Sequence, residues 1–350
     1  MNRLSSVGTR YGVLLLLAVG IQLAACTGEK TSSGPTPIRI GWQTAWVPQA
    51  QLAMVLKNTK FLESNGLRGE FKSFSYGGPL SEAALADQID VLFAADQPAI
   101  NLIARGAKWK IVSKSIYFRD SLLVPVDSDS QTVADLRGKN IAVPFGSGAH
   151  RIAIELLTEA GLDAEKDVKL INLDVTEIAA MIKANSAGGG SKVWRGDIAG
   201  ALIWDPHIAE FEQKKLARVL AEKPLFGVTA MSEKFMQANK AAAASFVRTL
   251  QESLFYYALH GPEADNWYAQ EVKIDFDRNI LRRSASFDQN LKAESIDRID
   301  ISFTDADIRT LQNSSDFAFK AGLIKTRPIA KDIVDTDLIG ATVKPPKSGS

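Results

Sequence analysis

Apolar and polar positions along this chain switch repeatedly between a period of two and a helical period. Ile38-Arg39-Ile40-Gly41-Trp42 predicts a short strand. Residues 49–65 have helical spacing, with Leu52, Val55, Leu56 and Leu62 on one side. Residues 71–76 alternate as a strand until Gly77-Gly78-Pro79 breaks them. A helix over 80–88 follows. Residues 89–95 form a near-continuous apolar strand, as in a sheet covered on both faces. Residues 97–105 read as a helix ended by Gly106, and 110–116 and 121–126 as two strands. A second set opens with a short helix over 132–137 and a strand over 140–144. The turn Phe145-Gly146-Ser147-Gly148 leads into a helix over 149–160 that Gly161 caps. Strands at 168–173, 198–204 and 217–221 alternate with helices at 175–184 and 208–215. A last strand, 226–231, precedes helices at 239–260, 266–273, 288–292 and 304–321. Such β-α-β repetition implies mostly parallel sheets flanked by helices. Two such groups and a helical end predict an α/β chain of two lobes. No short-period repeat suggests a solenoid.

The two ends follow another pattern. Residues 1–10 carry Arg3 and Arg10 and no acid, and residues 11–25 are nearly all apolar. This is the layout of a secretory signal peptide over 1–25. Its apolar part, about 15 residues, is short of the roughly 20 that span a bilayer. Leu23-Ala24-Ala25 precede Cys26, the sole cysteine of the chain. Leu-Ala-Ala-Cys looks like a bacterial lipobox, whose cysteine is acylated; a chance cysteine behind an ordinary signal is the alternative. Residues 26–37 read as a flexible tether and 341–350 as a disordered tail.

Composition narrows the function. The 350 residues hold 41 Lys+Arg against 40 Asp+Glu, which argues against nucleic acid and against a polybasic membrane patch. One cysteine allows no internal disulfide, and three histidines leave few soft ligands, so no metal and no cofactor are expected.

Ligands of open parallel sheets sit at strand carboxyl ends, beside helix N-termini. The turns there are Gln43-Thr44-Ala45-Trp46, Tyr76-Gly77-Gly78, Ala95-Asp96-Gln97-Pro98, Gly146-Ser147-Gly148-Ala149-His150, Asp174-Val175-Thr176 and Trp204-Asp205-Pro206-His207. They are rich in aromatics and neutral hydrogen-bonders and poor in Lys and Arg. In the Gly146 turn, backbone N–H groups and the following helix could hold a sulfonate, nitrate or carboxylate, with Ser147 adding a hydroxyl. An ordinary glycine turn is the plain alternative. Trp42, Trp46 and Tyr76 suit the apolar part of a solute, although Trp42 fits sheet packing equally well. Asp205 could take an amine or cap the next helix, and capping is the simpler reading. Arg119 and Asp120, placed between two strands, read as a surface ion pair. Gly188-Gly189-Gly190-Ser191-Lys192 lacks the order of a phosphate loop and reads as a surface insertion. His260 fits a helix end and His207 the surface, which leaves His150 to face a ligand. No nucleophile–base pair or Gly-x-Ser-x-Gly elbow points to an enzyme.

These stretches resemble the substrate-binding proteins of bacterial ABC importers, in the nitrate, aliphatic-sulfonate and taurine group with its thiamine-precursor relatives. The match runs through residues 38–43, 88–106, 133–161 (Ala-Asp-Leu-Arg-Gly-Lys-Asn-Ile-Ala-Val-Pro-Phe-Gly-Ser-Gly-Ala-His within it) and 201–209. The resemblance implies a type II periplasmic-binding-protein clamshell. Lobe 1 would hold residues 36–122 and, on the chain's return, 226–340; lobe 2 would hold 123–225. It also implies a monomer that closes on a small anionic organic solute and docks on an ABC permease of the inner membrane. The candidate ligand contacts are Trp42, Gln43, Trp46, Tyr76, Gly77, Gly78, Asp96, Gln97, Ser121, Gly146, Ser147, Gly148, Ala149, His150, Trp204 and Asp205. Gly148 departs from the sulfonate-type turn, which carries a second serine there, and the insertion near 187–193 is a second departure. The expectation is therefore an exported, periplasmic or cell-surface receptor, lipid-anchored through Cys26. A neutral aromatic or pyrimidine solute, or an exported enzyme or sensor on the same fold, remain alternatives.

Overall fold

The structure, a computed structural model, describes residues 34–186, 191–273 and 277–342. The expected signal peptide, Cys26, most of the tether, the glycines of the insertion and the tail from 343 lie outside the described residues.

Eight strands form one sheet in the order β2-β1-β3-β8-β4-β7-β5-β6. They are β1 (Thr36–Gln43), β2 (Leu67–Phe74), β3 (Val91–Ala95), β4 (Trp109–Val124), β5 (Asn140–Val143), β6 (Lys169–Asn172), β7 (Ile198–Trp204) and β8 (Arg218–Ser232). β1 runs parallel to β2 and β3, and β5 parallel to β6 and β7. β8 is antiparallel to β3 and β4, and β4 is antiparallel to β7. Two expectations are corrected here. Residues 110–116 and 121–126 belong to a single 16-residue strand, β4. Residues 217–221 and 226–231 likewise belong to one strand, β8. These two long strands pair with each other through three register irregularities and join the two parallel groups into one sheet. In the middle of β4, Lys114 meets Asp300 and Asp307, and Arg119 meets Asp205, Glu212 and Glu222. The expected lobe boundaries at 122/123 and 225/226 fall inside β4 and β8.

Helices fill the connections. The helix expected over 49–65 is α1 (Val47–Asn58) and a single turn α2 (Phe61–Ser64), parted where Thr59 turns extended. α3 (Gly77–Leu85) and α4 (Asp96–Ala104) begin three and one residues earlier than expected. α5 (Gly148–Glu159), α6 (Val175–Ser186) and α7 (His207–Gln213) follow their strands. The long helix expected over 239–260 is α9 (Lys240–Leu259), and a short helix the sequence reading did not assign, α8 (Glu233–Ala238), precedes it. α12 (Asp305–Lys320) matches its expected span and α10 (Gly261–Val272) begins five residues before its own, whereas α11 (Arg278–Ala285), α13 (Ala330–Ile333) and α14 (Thr336–Thr342) were hidden by short sequences. Residues 133–136 and 289–292 form 3-10 turns.

Alternation along β3 explains the two-sided core. Val91, Phe93 and Ala95 join one apolar cluster with Ile38, Ile40 and Trp42, while Leu92 and Ala94 join the other with Leu80 and Ile100. β3 and β7 are buried at every position, as expected of strands covered on both faces. Near the C-terminus, Asp335 N–H donates to Ile111 O, which returns the chain to β4.

Candidate functional site

Four helices present their N-termini to one cavity. Trp46 is the N-cap of α1, Gly77 the first residue of α3, Ala95 the N-cap of α4, and Ser147 and Gly148 the N-cap and first residue of α5. All five line the cavity, together with Gln43, Pro98, Phe118, Asp120, Ala149 and Trp204. The N-cap side chains of α1, α3 and α4 make no capping hydrogen bond. The first N–H groups of a helix lack intrahelical acceptors, and its dipole places a partial positive charge there. The cavity thus favours an anion, although no Lys or Arg lines it. Its walls are aromatic: the Trp46 and Phe118 rings lie 4.6 Å apart, and Trp204 stands beside them. The space measures ≈ 20 Å³, room for about one water molecule.

Segments distant in sequence close this space. Trp204 Nε1–H donates to Ala45 O at 2.8 Å. Arg151 Nη2 meets Asp96 Oδ2 at 2.8 Å, both side chains being buried. Gly146 has φ +78, a left-handed conformation, and a Cβ built on it would stand 3.8 Å from Gly78 Cα. A Cβ on Gly148 would come within 3.1 Å of Ala95 Cβ, so the missing serine side chain leaves α5 free to approach α4.

Of the residues expected at the site, Gln43, Trp46, Gly77, Ser147, Gly148, Ala149 and Trp204 line the cavity. Gln43 is fixed by its Nε2–H to Phe93 O at 2.8 Å. Trp46 Nε1–H is buried without a partner. The Ser147 hydroxyl donates to Pro144 O at 2.6 Å and accepts from His150 N, so it serves the turn as well as the cavity.

The others lie outside the cavity lining, each for a physical reason. Trp42, 1 % exposed, sits on the opposite face of β1 from Gln43, and packs in the core. Tyr76 caps no N–H and rests half-buried against the core, and burial raises its hydroxyl pKa. Gly78 and Gly146 meet each other instead. Asp96 accepts from Arg151, from Ser314 Oγ at 2.6 Å and from Gln97 N. Gln97 Nε2–H donates to Asn101 Oδ1. Ser121 lies within reach of Glu222 Oε2, at 3.5 Å. His150 stacks on Phe145 at 4.2 Å and accepts from Gly146 N; burial pushes its imidazole down to about 4, so it is neutral at pH 7. Asp205 accepts from Ala209 N in α7 and from Arg119, consistent with capping rather than amine binding.

The surface ion pair expected between Arg119 and Asp120 does not form. Adjacent residues of a strand point to opposite faces. Arg119, 3 % exposed, reaches Asp205 at 3.0 Å, Glu212 at 2.7 Å and Glu222 at 3.0 Å. Asp120 points the other way, into the cavity, in step with Phe118. Within the expected turn Ala95-Asp96-Gln97-Pro98 the lining residues are Ala95 and Pro98 rather than Asp96 and Gln97, and sequence reasoning missed Phe118 and Asp120. The signal for the last two was the period of two through β4, obscured by the apparent break.

The chain is similar over 97% of its length to a putative aliphatic sulfonates-binding protein of Bacillus subtilis (strain 168), at 26% identity over 99% of that protein. The alkanesulfonate-binding protein of Xanthomonas axonopodis pv. citri, solved bound to MOPS, superposes with a TM-score of 0.70 at 22% identity, covering 87% of this chain and 99% of that one. The desulfurization enzyme DszB superposes with a TM-score of 0.62 at 15% identity, covering 88% and 98%. The fold is that of the periplasmic binding proteins. The NMT1-like family matches residues 31–270, and the chain belongs to that family.

Proposed function

We propose that this protein is the solute-binding receptor of an ABC importer and captures a small organic oxyanion of the sulfonate type. The observation that carries this reading is the meeting of four helix N-termini at one cavity lined by no cationic side chain. Backbone N–H groups can hold a singly charged oxyanion there, and Trp46, Phe118 and Trp204 can cover its organic part. The relatives' names, a putative aliphatic sulfonates-binding protein and an alkanesulfonate-binding protein, support the same ligand class.

A sulfonate needs more room than ≈ 20 Å³, so uptake requires the walls to part. In this reading residues 123–225 swing away from 36–122 and 226–340 about the crossing strands β4 and β8. The contacts from Trp204 to Ala45 and from Arg151 to Asp96 then break on opening and re-form around the solute. Binding without turnover fits the lining: the Ser147 hydroxyl is engaged with Pro144 O, and His150 stands outside the cavity. The fold alone does not decide this, since a desulfurization enzyme shares it. Acylation of Cys26 would hold the receptor at a membrane, beside its permease.

Isothermal titration calorimetry of the processed protein tests the reading, with alkanesulfonates, nitrate, carboxylates and a pyrimidine as titrants. Saturable one-to-one binding of an alkanesulfonate is expected. Binding of the pyrimidine alone would replace the anion with a neutral solute, and turnover of a bound sulfonate would make the protein an enzyme.

A further inference from the structure

Asp120 lines the cavity, and four helix N-termini alone give it no hydrogen-bond partner. The residue is 1 % exposed, and neither of its carboxyl oxygens is hydrogen-bonded. Charged groups act on it from three elements. Asp96 comes from α4, Arg151 from α5 and Asp205 from the end of β7. Arg151 is engaged by Asp96 and Glu155. Arg119 lies on the other face of β4 with Asp205, Glu212 and Glu222. Two of the three buried aspartates therefore have a guanidinium, and Asp120 has none. Burial above all pushes its carboxyl well up from the usual range; Arg151 opposes this, and Asp96 and Asp205 add to it.

Its place in the cavity gives this a use. A Cβ on Gly148, the first residue of α5, would stand 3.5 Å from Asp120 Oδ2. Asp120 Oδ2 thus stands beside the first turn of α5 on the wall of the same cavity, where an oxyanion received on that helix end would meet the carboxyl. Two anionic oxygens in contact repel, whereas a proton between them makes a charge-assisted bond. A cation on Asp120 is disfavoured by the same helix N-termini.

On the receptor reading above, we infer that Asp120 meets the solute as an un-ionised acid, donating its O–H to the oxyanion and so selecting headgroups that only accept hydrogen bonds. No bond is made or broken beyond this hydrogen bond. When the carboxyl is ionised before binding, its proton comes from solvent, one per solute bound. A sulfonate, with acceptor oxygens and no proton of its own, matches the site. An aminoalkanesulfonate gains nothing from its ammonium group.

The test uses the processed protein, ethanesulfonate as probe, and the variants Asp120→Asn and Asp120→Ala. Infrared difference spectroscopy of wild-type protein with and without ethanesulfonate should show the carbonyl stretch of an un-ionised carboxyl in the complex, missing from Asp120→Asn. Calorimetry should find Asp120→Asn, which keeps an N–H donor in the same shape, within about threefold of wild type, and Asp120→Ala weaker by about tenfold to a hundredfold. Wild-type affinity should fall about tenfold per pH unit once the carboxyl ionises, and that of Asp120→Asn should stay flat. An ionised carboxylate in the complex overturns the inference, as does an asparagine variant as weak as the alanine one. Tighter binding of 2-aminoethanesulfonate that depends on Asp120 overturns it too. Each of these leaves the receptor reading standing. Failure of all three proteins to bind ethanesulfonate or any other alkanesulfonate removes the receptor reading and the inference together.

Discussion

Replacing Arg151 by leucine separates a contact that closes the cavity from one that merely holds the fold. Arg151 projects from α5, its side chain 6 % exposed, and its Nη2 lies 2.8 Å from Asp96 Oδ2 on α4. Without it, Asp96 keeps the Ser314 hydroxyl at 2.6 Å and Gln97 N at 2.7 Å, but no positive charge. Removing one partner of a buried ion pair costs about 3–5 kcal/mol. At about 1.4 kcal/mol per factor of ten, that is a shift of roughly a hundredfold to several thousandfold. If the segments carrying α4 and α5 part on opening, water reaches Asp96 and the whole penalty falls on the closed form. Small-angle scattering of ligand-free Arg151→Leu should then give a larger radius of gyration than wild type. Solute affinity should weaken by up to the same factor, because closure becomes less favourable. The melting temperature should change little. A fall of many degrees in melting temperature with an unchanged radius of gyration would refute the reasoning and make this pair a fixed strut.

Further expectations concern the surroundings of the site and the anchor. Arg119→Met leaves Asp205 buried without its guanidinium, so thermal unfolding should show a loss of about 3–5 kcal/mol near neutral pH that shrinks in acid, where Asp205 takes a proton; an equal loss at both pH values would contradict this. Burial holds the His150 imidazole down at about 4, below its ordinary value of 6.5. The unfolded chain therefore binds the extra proton between those values, and stability should fall as pH drops through that window. The full effect is about 3 kcal/mol. In His150→Phe, denaturant unfolding should lose that part of the acid sensitivity. Cys26→Ser should leave solute affinity intact and release the protein from membranes on fractionation; a variant that stays with the membrane would end the lipid-anchor reading.

The sequence made the ends of the strands readable, because glycine, proline and aromatic residues mark turns whatever the rest of the fold does. That is why Trp46, Gly77, Ser147, Gly148 and Trp204 could be placed at the site. It could not show how β4 continues. Arg119 and Asp120 break the apolar rhythm, and their surroundings are far along the chain: Asp205, Glu212 and Glu222 for the first, a cavity built from four helix N-termini and the ends of β1, β3 and β7 for the second. A charged pair adjacent in sequence looks like a surface ion pair until strand geometry sends its members to opposite faces. Trp42 illustrates the reverse case. One position from Gln43, it is hidden by the same alternation that exposes its neighbour to the cavity. The polar helix α11, with Arg278, Arg282 and Arg283, had too little apolar spacing to be seen at all.

The most direct test of the central claim is a crystal structure of the processed protein with ethanesulfonate. The account expects sulfonate oxygens on the N–H groups that open α3, α4 and α5, within reach of Asp120, and the ethyl group against Trp46, Phe118 and Trp204. A sulfonate bound anywhere else, such as the cavity of ≈ 200 Å³ beside Asp265, Arg282 and Asp288, would contradict it.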